Sequence, residues 1–304
     1  MIYLIAPNAQ HPSGGVSVAA KWVRALIEHG HDAMFITPNG DPSPHWLSFK
    51  VPAGSYADVR DVPGNKVVHV WMDCLKEFRT RQADLYYFAQ DVCQPQYNET
   101  YPGRFKVEYL PILKQAKLVT IGHHSHWFYL YRWGLTSKIV NNWVDMDIFK
   151  PTEKEPRSVA MIDHRDHMNK DIADSLRAAG FTVNIARGSE KEVAEVMGKS
   201  RFFVTDVRGR FDGFENSEGF PMPIAEAMAC GCVPICRDTN GVREYVFDRV
   251  NGLMFKDGKE IPGLVEFSDR NVGFWDLSSA AYHTLLEIFN EENAWLQIQE
   301  ALEL

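Results

Sequence analysis

A strand, a glycine turn, a helix and a second strand follow one another within the first 37 residues, and no other feature limits the possible fold as strongly. Residues 2–6 form a short apolar run, and His11-Pro12-Ser13-Gly14-Gly15 reads as a turn. Val16, Ala19, Ala20, Val23, Leu26 and Ile27 then recur at helical spacing until Gly30 supplies a stop, and residues 33–37 are apolar again. Such a βαβ unit sets its strands parallel, and a parallel sheet needs cover on both faces. Further apolar runs at 67–71, 85–89, 118–122 and 139–140 extend the pattern. A polar stretch with two prolines, 149–156, interrupts it and reads as an interdomain linker. Strands resume at 158–162, 182–186, 202–206 and 233–236, helices fall at 171–179, 190–199 and 223–229, and helical spacing fills 275–304. The expectation is an α/β chain of two doubly wound, Rossmann-like domains, 1–150 and 151–277, with the carboxyl ends of both sheets around one cleft.

Composition agrees with two domains, since 304 residues, 45% hydrophobic and 24% charged, are enough for two ordinary cores. A net charge of -8 gives no electrostatic footprint for nucleic acid or an anionic membrane as the main partner. No run approaches the roughly 18 to 20 apolar residues of a transmembrane helix, and the chain opens without a basic, cleavable leader, so at most a peripheral membrane contact is expected. Five cysteines, Cys74, Cys93, Cys230, Cys232 and Cys236, lie mainly in apolar runs and fit reduced thiols in the cytoplasm. No metal site is expected. Cys230-Gly231-Cys232 has the wrong spacing for a zinc knuckle, and Ser125, among His123, His124 and His126, reads as a helix cap. His69, inside a strand, reads as a satisfied core histidine.

The stretch Ser217-Glu218-Gly219-Phe220-Pro221-Met222-Pro223-Ile224-Ala225-Glu226-Ala227-Met228-Ala229-Cys230-Gly231 carries the chemistry. Pro223 suits a first helical turn, strong helix formers follow, and Gly231 ends them, so Glu218 falls in a loop and Glu226 on a helix. Unpaired N–H groups at a helix start favour anions, and carboxylates beside them can grip sugar hydroxyls. A bare Glu-x7-Glu spacing would describe an ordinary buried helix; the whole string is far more specific. Arg165 and Lys170 lie five positions apart in a strand-to-helix loop, where Arg can fork onto two phosphate oxygens and Lys acts as a point charge. Gly14 and Gly15 let backbone approach an anion without Cβ obstruction. Gln90 and Asp91 follow a buried strand at its ligand-facing end, where Asp91 orients a donor or acceptor hydroxyl or caps the next turn.

Taken in order, the glycine loop, the Asn142-Trp143-Val144-Asp145 segment, Arg165-x4-Lys170 and Glu218-x7-Glu226 resemble the retaining GT-B-fold glycosyltransferases of family 4. The resemblance implies a GT-B fold whose last segment, 278–304, packs back on the first domain. It also implies an enzyme that moves a sugar from a nucleotide-diphosphate sugar to an acceptor hydroxyl, saccharide or lipid-linked, with retention of configuration. In such proteins Glu218 would contact the donor sugar, Gly219 and Phe220 would approach it by their backbone, and Glu226 would hold the ribose hydroxyls. Arg165 and Lys170 would bind the diphosphate in place of a metal, and Gly14 and Gly15 would face it from the first domain. No cofactor beyond the donor is implied. Pro221 stands where the family has Gly or Pro, while Trp143 replaces a usual Gly and Asp163-His164 departs from the usual residues before the Arg. Two alternatives stay open: the same transfer to a hydroxymethylated nucleobase of DNA, and a non-catalytic sugar-nucleotide-binding subunit.

Overall fold

The computed structural model describes residues 1–10, 12–92, 105–162, 167–206, 219–270 and 273–304. Contacts gather them into two units. One holds Met1–Asn142, Trp295–Leu304 and, from the signature stretch, Gly219 and Phe220; the other holds Trp143–Gly209 and Pro221–Ala294.

In the first unit the elements run β1 (Ile2–Ile5), α1 (Gly14–Glu28), β2 (Ala33–Thr37), β3 (Ala53–Ser55), β4 (Lys66–His69), α2 (Met72–Glu77), β5 (Asp84–Ala89), α3 (Leu110–Leu113), β6 (Lys117–Thr120), α4 (His123–Trp133) and β7 (Ser137–Ile139). The seven strands are all parallel in the order β3-β2-β1-β4-β5-β6-β7, with Ile2 opposite Ala33 on one side and Lys66 on the other. The order reverses between β1 and β4, and ligands of open α/β sheets sit beyond the strand ends at such a reversal. Tyr3, Ile5, Ile36 and Val67 fill one part of the core, and Tyr87, Phe105, Tyr109, Leu118 and Tyr129 another.

The second unit runs β8 (Ser158–Ile162), α5 (His167–Ala178), β9 (Thr182–Ala186), α6 (Glu190–Lys199), β10 (Phe202–Thr205), α7 (Met222–Ala229), β11 (Val233–Arg237), β12 (Leu253–Phe255), α8 (Ile261–Arg270) and α9 (Gly273–Glu287). Its five strands are parallel in the order β12-β11-β10-β8-β9, so the reversal falls between β8 and β10. Phe202, Val204, Ile235 and Leu253 pack with Leu176, Val265 and Phe274 to make its core. The proline-containing stretch before β8 is pinned: Lys154 Nζ donates to the carbonyls of Cys230 at 2.6 Å and Met197 at 3.3 Å.

A last helix, α10 (Glu291–Leu302), returns the chain to the first unit. Trp295 stacks on His29 with ring centroids 3.8 Å apart, Gln297 exchanges two hydrogen bonds with Asn141, and Lys117 pairs with Glu303 at 2.8 Å. Ile298 and Leu302 are fully buried. No helix among the described residues is long and apolar enough to cross a membrane.

Two expectations change. Ser125 is not a cap: Gly122 holds that position, and Ser125 sits inside α4, buried, with no partner for its hydroxyl among the described residues. His69 is buried as expected but not satisfied, because neither ring nitrogen has a partner among the described residues. Burial alone holds its ring down to about 3, so it stays neutral.

Candidate functional site

In the first unit the site grows from the loop after β1. Ser13 precedes α1 in extended backbone without a side-chain cap, so the first N–H groups of a 15-residue helix keep their donors free of a capping hydroxyl. Gly14 is exposed and Gly15 half-buried at that start. Gln90, at the carboxyl end of β5, donates from Nε2 to the Gly15 carbonyl at 3.2 Å. A Cβ added at Gly219 would stand 2.3 Å from the Gln90 carbonyl oxygen and 2.8 Å from Ile121 Cγ2, so no other residue fits there without displacing backbone. Gln90 thus touches the glycine turn with its side chain and Gly219 with its backbone. The sequence placed Gln90 at the strand end; that it joins these two segments follows only from the packing.

Phe220 is buried, as is Met222 at the start of α7. The helix begins one residue before Pro223 and ends with Gly231 at φ 72, whose N–H donates to Met228. Tyr245 fixes the entry, its buried hydroxyl donating to the Pro221 carbonyl at 2.8 Å, while Asn251 Nδ2 donates to the Tyr245 carbonyl at 2.9 Å. No spacing signal in the sequence marks either residue. Six of the eight residues of α7 are buried; the two that are not, Pro223 and Glu226, lie three apart on one face. Glu226 therefore lies, half-buried, on the less covered side of the helix.

Lys170 is exposed in the first turn of α5, directly after the strand that borders the reversal in the second sheet. Arg165 and Glu218 lie outside the described residues. In the chain they follow β8 and β10, the two strands on either side of that reversal.

Asp91 is half-buried beside a group of phenols. Burial first, then Tyr129, Asp91 and Asp73, pushes the Tyr87 hydroxyl well above its usual range. Burial and Asp91 do the same to Tyr129. Tyr109 donates to Asp73 Oδ1. Tyr87 and Tyr129 therefore stay protonated at any working pH. The buried thiols of Cys230 and Cys236 are likewise raised by burial, and Cys74 is pushed up to about 12.

The parallel sheets, their two reversals and the return of the last helix define a GT-B-fold protein. Residues 148–266 match the family of glycosyl transferases group 1, and this segment runs from the linker through Arg165, Lys170, Glu218 and Glu226 into α8. HepE of Anabaena, solved with UDP and glucose, superposes with a TM-score of 0.76 at 14% identity over 99% of both chains. Sucrose-phosphate synthase of Thermosynechococcus elongatus gives 0.71 at 13% identity, covering 99% of this chain and 98% of that one. A glycosyltransferase of Rickettsia africae gives 0.64 at 15% identity with the same coverage. At these identities the likeness establishes the fold. No curated protein sequence matches the chain.

Proposed function

We propose that this chain is a retaining glycosyltransferase that moves a sugar from a nucleotide-diphosphate sugar to an acceptor hydroxyl. The observation that carries the reading is the coincidence of the signature with the topology: Arg165 and Glu218 follow in the chain the two strands that flank the reversal in the second sheet, and Glu226 is half-buried on the helix that the signature opens.

The roles follow from charge and geometry. Arg165 and Lys170 hold the diphosphate and stabilise the charge that grows on it as the glycosidic bond breaks. Glu226 accepts hydrogen bonds from ribose hydroxyls, and Glu218 positions the donor sugar while its ring becomes electron-poor. Gly14, Gly15 and Gly219 offer backbone where a Cβ would obstruct, and Phe220 offers its backbone beside Gly219. The C1–O bond to the diphosphate breaks, the acceptor oxygen bonds to C1 on the same face, and its proton passes to the departing phosphate oxygen. Two cationic side chains take the part of a metal, so transfer persists in a chelator. The buried, unpaired thiols Cys74, Cys230, Cys232 and Cys236 support a reducing compartment, the cytoplasm. HepE was solved with UDP-glucose, which makes uridine diphosphate sugars the first donors to try.

The test is a donor panel of nucleotide sugars with purified protein, reading nucleotide diphosphate release and binding, with Glu218→Ala and Arg165→Ala as controls. One donor should bind and be slowly hydrolysed, with both variants at least about a hundredfold slower, as for loss of a transition-state contact. Proton NMR of the product anomer should show retention. Binding without turnover under any acceptor would leave a sugar-nucleotide-binding subunit in place of the enzyme, and no binding by any donor would remove both readings.

A further inference from the structure

The second unit holds a groove that the transfer reaction does not use. Residues 151–154, the turn at Gly231 and one face of α9 enclose about 500 Å³, within the range of small-ligand sites, and all of this lining belongs to the second unit. The groove lies at the C-terminal end of α7, and β8 and β11 start a few residues after two of its lining segments. It therefore opens at the amino ends of the strands, the edge opposite to the one that Lys170 follows. Eight helical residues, about 12 Å, separate it from Gly219 and Phe220, so a donor held at the start of α7 leaves it empty. Its floor is already satisfied. Lys154 Nζ donates to the carbonyls of Cys230 and Met197, and Ser278 Oγ donates to the Gly231 carbonyl at 2.7 Å.

The walls set the ligand's chemistry. Trp275, Ser279 and Tyr282 recur four and three positions apart on α9, so they line the groove from one helix face. Trp275 is 64% exposed, which leaves most of its indole bare. Two aromatic rings and Pro151 suit a flat ligand with an apolar face, while the exposed Ser279 hydroxyl and Glu153 carboxylate suit one with hydroxyls around its edge. A pyranose ring has both, C–H groups on its faces and O–H groups at its rim. Glu153 and Lys154 are chain neighbours of opposite charge, so an anion meets the carboxylate and a cation meets the ammonium. An uncharged ligand meets neither penalty.

We propose that this groove is a second saccharide site, separate from the donor site, that holds an uncharged oligosaccharide by stacking on Trp275 and Tyr282, with Glu153 accepting from sugar hydroxyls. It is carried by its own lining and does not depend on the glycosyltransferase reading. Beside a transferase site it adds affinity for a saccharide chain through a second point of attachment and takes no part in the chemistry.

The experiment is fluorine NMR on the full chain labelled with 5-fluorotryptophan, with and without UDP, titrated with maltose, cellobiose and mannobiose and with digalacturonic acid as the charged comparison. The signal missing from Trp275→Phe identifies Trp275, whose exposure makes that variant undemanding on the fold. At least one neutral disaccharide should move this signal, with or without UDP, and bind at least about fivefold more tightly than the anionic one, as like charge near Glu153 requires. Tyr282→Leu, which keeps apolar bulk and removes the ring, should weaken that sugar about tenfold, the effect of losing one aromatic anchor. Glu153→Gln should weaken it a few-fold and narrow its lead over digalacturonic acid. A Trp275 signal that no neutral sugar moves, equal binding of the charged sugar, or unchanged binding in Tyr282→Leu would each overturn the proposal. So would a Trp275 shift that follows protein concentration and not sugar, since a second copy would then cover the groove. UDP binding on the same samples keeps the two readings apart. If UDP binds and Trp275 stays silent, only this site falls; if a neutral sugar moves Trp275 and UDP does not bind, this site stands and the donor reading falls.

Discussion

His69 and Gly219 show what one residue can decide in this chain. The His69 ring is wholly buried in β4 with both nitrogens unpartnered among the described residues, and its pKa falls from 6.5 to about 3. The unfolded chain takes up a proton as the pH drops through 6.5, while the folded chain refuses it until about 3, so this group costs stability in acid and nothing above neutrality. Below pH 6.5 the loss should approach about 1.4 kcal/mol per pH unit. Urea unfolding from pH 7.5 to 4.5 should therefore show a smaller acid slope for His69→Phe than for the parent; equal slopes would mean that the ring is protonated in the fold. Its place inside an apolar strand was legible from the sequence, but its lack of partners was not, because satisfaction depends on neighbours far away in the chain. Gly219 is the converse case. The signature marks it as a glycine, and only the 2.3 Å approach of the Gln90 carbonyl says why.

At the scale of elements, legibility follows length and capping. Helix α1 was readable because 15 residues repeat an apolar face and a glycine closes them, with Gly30 at φ 85. Helix α7 was readable to within one residue for the same reasons. Strands β3 and β12 have three residues each and α2 has six, too few for a period to emerge, and they form where a neighbour offers an edge or a face. The cap of α7 supports a sharp comparison. Gly231 sits at φ 72, and a Cβ there would come 3.3 Å from Pro151 Cγ, whereas one on Gly258 would meet nothing. Gly231→Ala should destabilise by about 1–2 kcal/mol, the cost of left-handed backbone for an L-residue, and Gly258→Ala should stay within about 0.5 kcal/mol of the parent. Equilibrium urea midpoints measure both; equal effects would show that the helix end does not depend on its glycine.

Across the whole molecule the chain leaves its first unit at Asn142, touches it again at Gly219 and Phe220 and returns for good at Trp295, so that unit is finished only when the last ten residues are in place. Lys117–Glu303 and Lys138–Glu300 are exposed pairs and contribute little, each worth at most about 1 kcal/mol. The hold comes from apolar burial: Ile298 and Leu302 are fully covered, and Trp295 packs flat on His29. The helical spacing of the last 30 residues was visible in the sequence, but the unit that receives them came only from the family resemblance, since an amphipathic face does not name its partner. Leu302→Ala should cost about 2–5 kcal/mol, as for other buried leucines. At roughly 2–4 °C per kcal/mol for a domain of this size, that is a fall of about 4–20 °C in the first unit's melting temperature. Glu300→Ala should shift it by no more than about 2–4 °C on the same scale. Melting followed by calorimetry on both variants decides the matter. A large fall for Leu302→Ala with little change for Glu300→Ala would show that the end of the chain is part of the first unit's core, and similar small shifts would show a surface strap that the unit can lose.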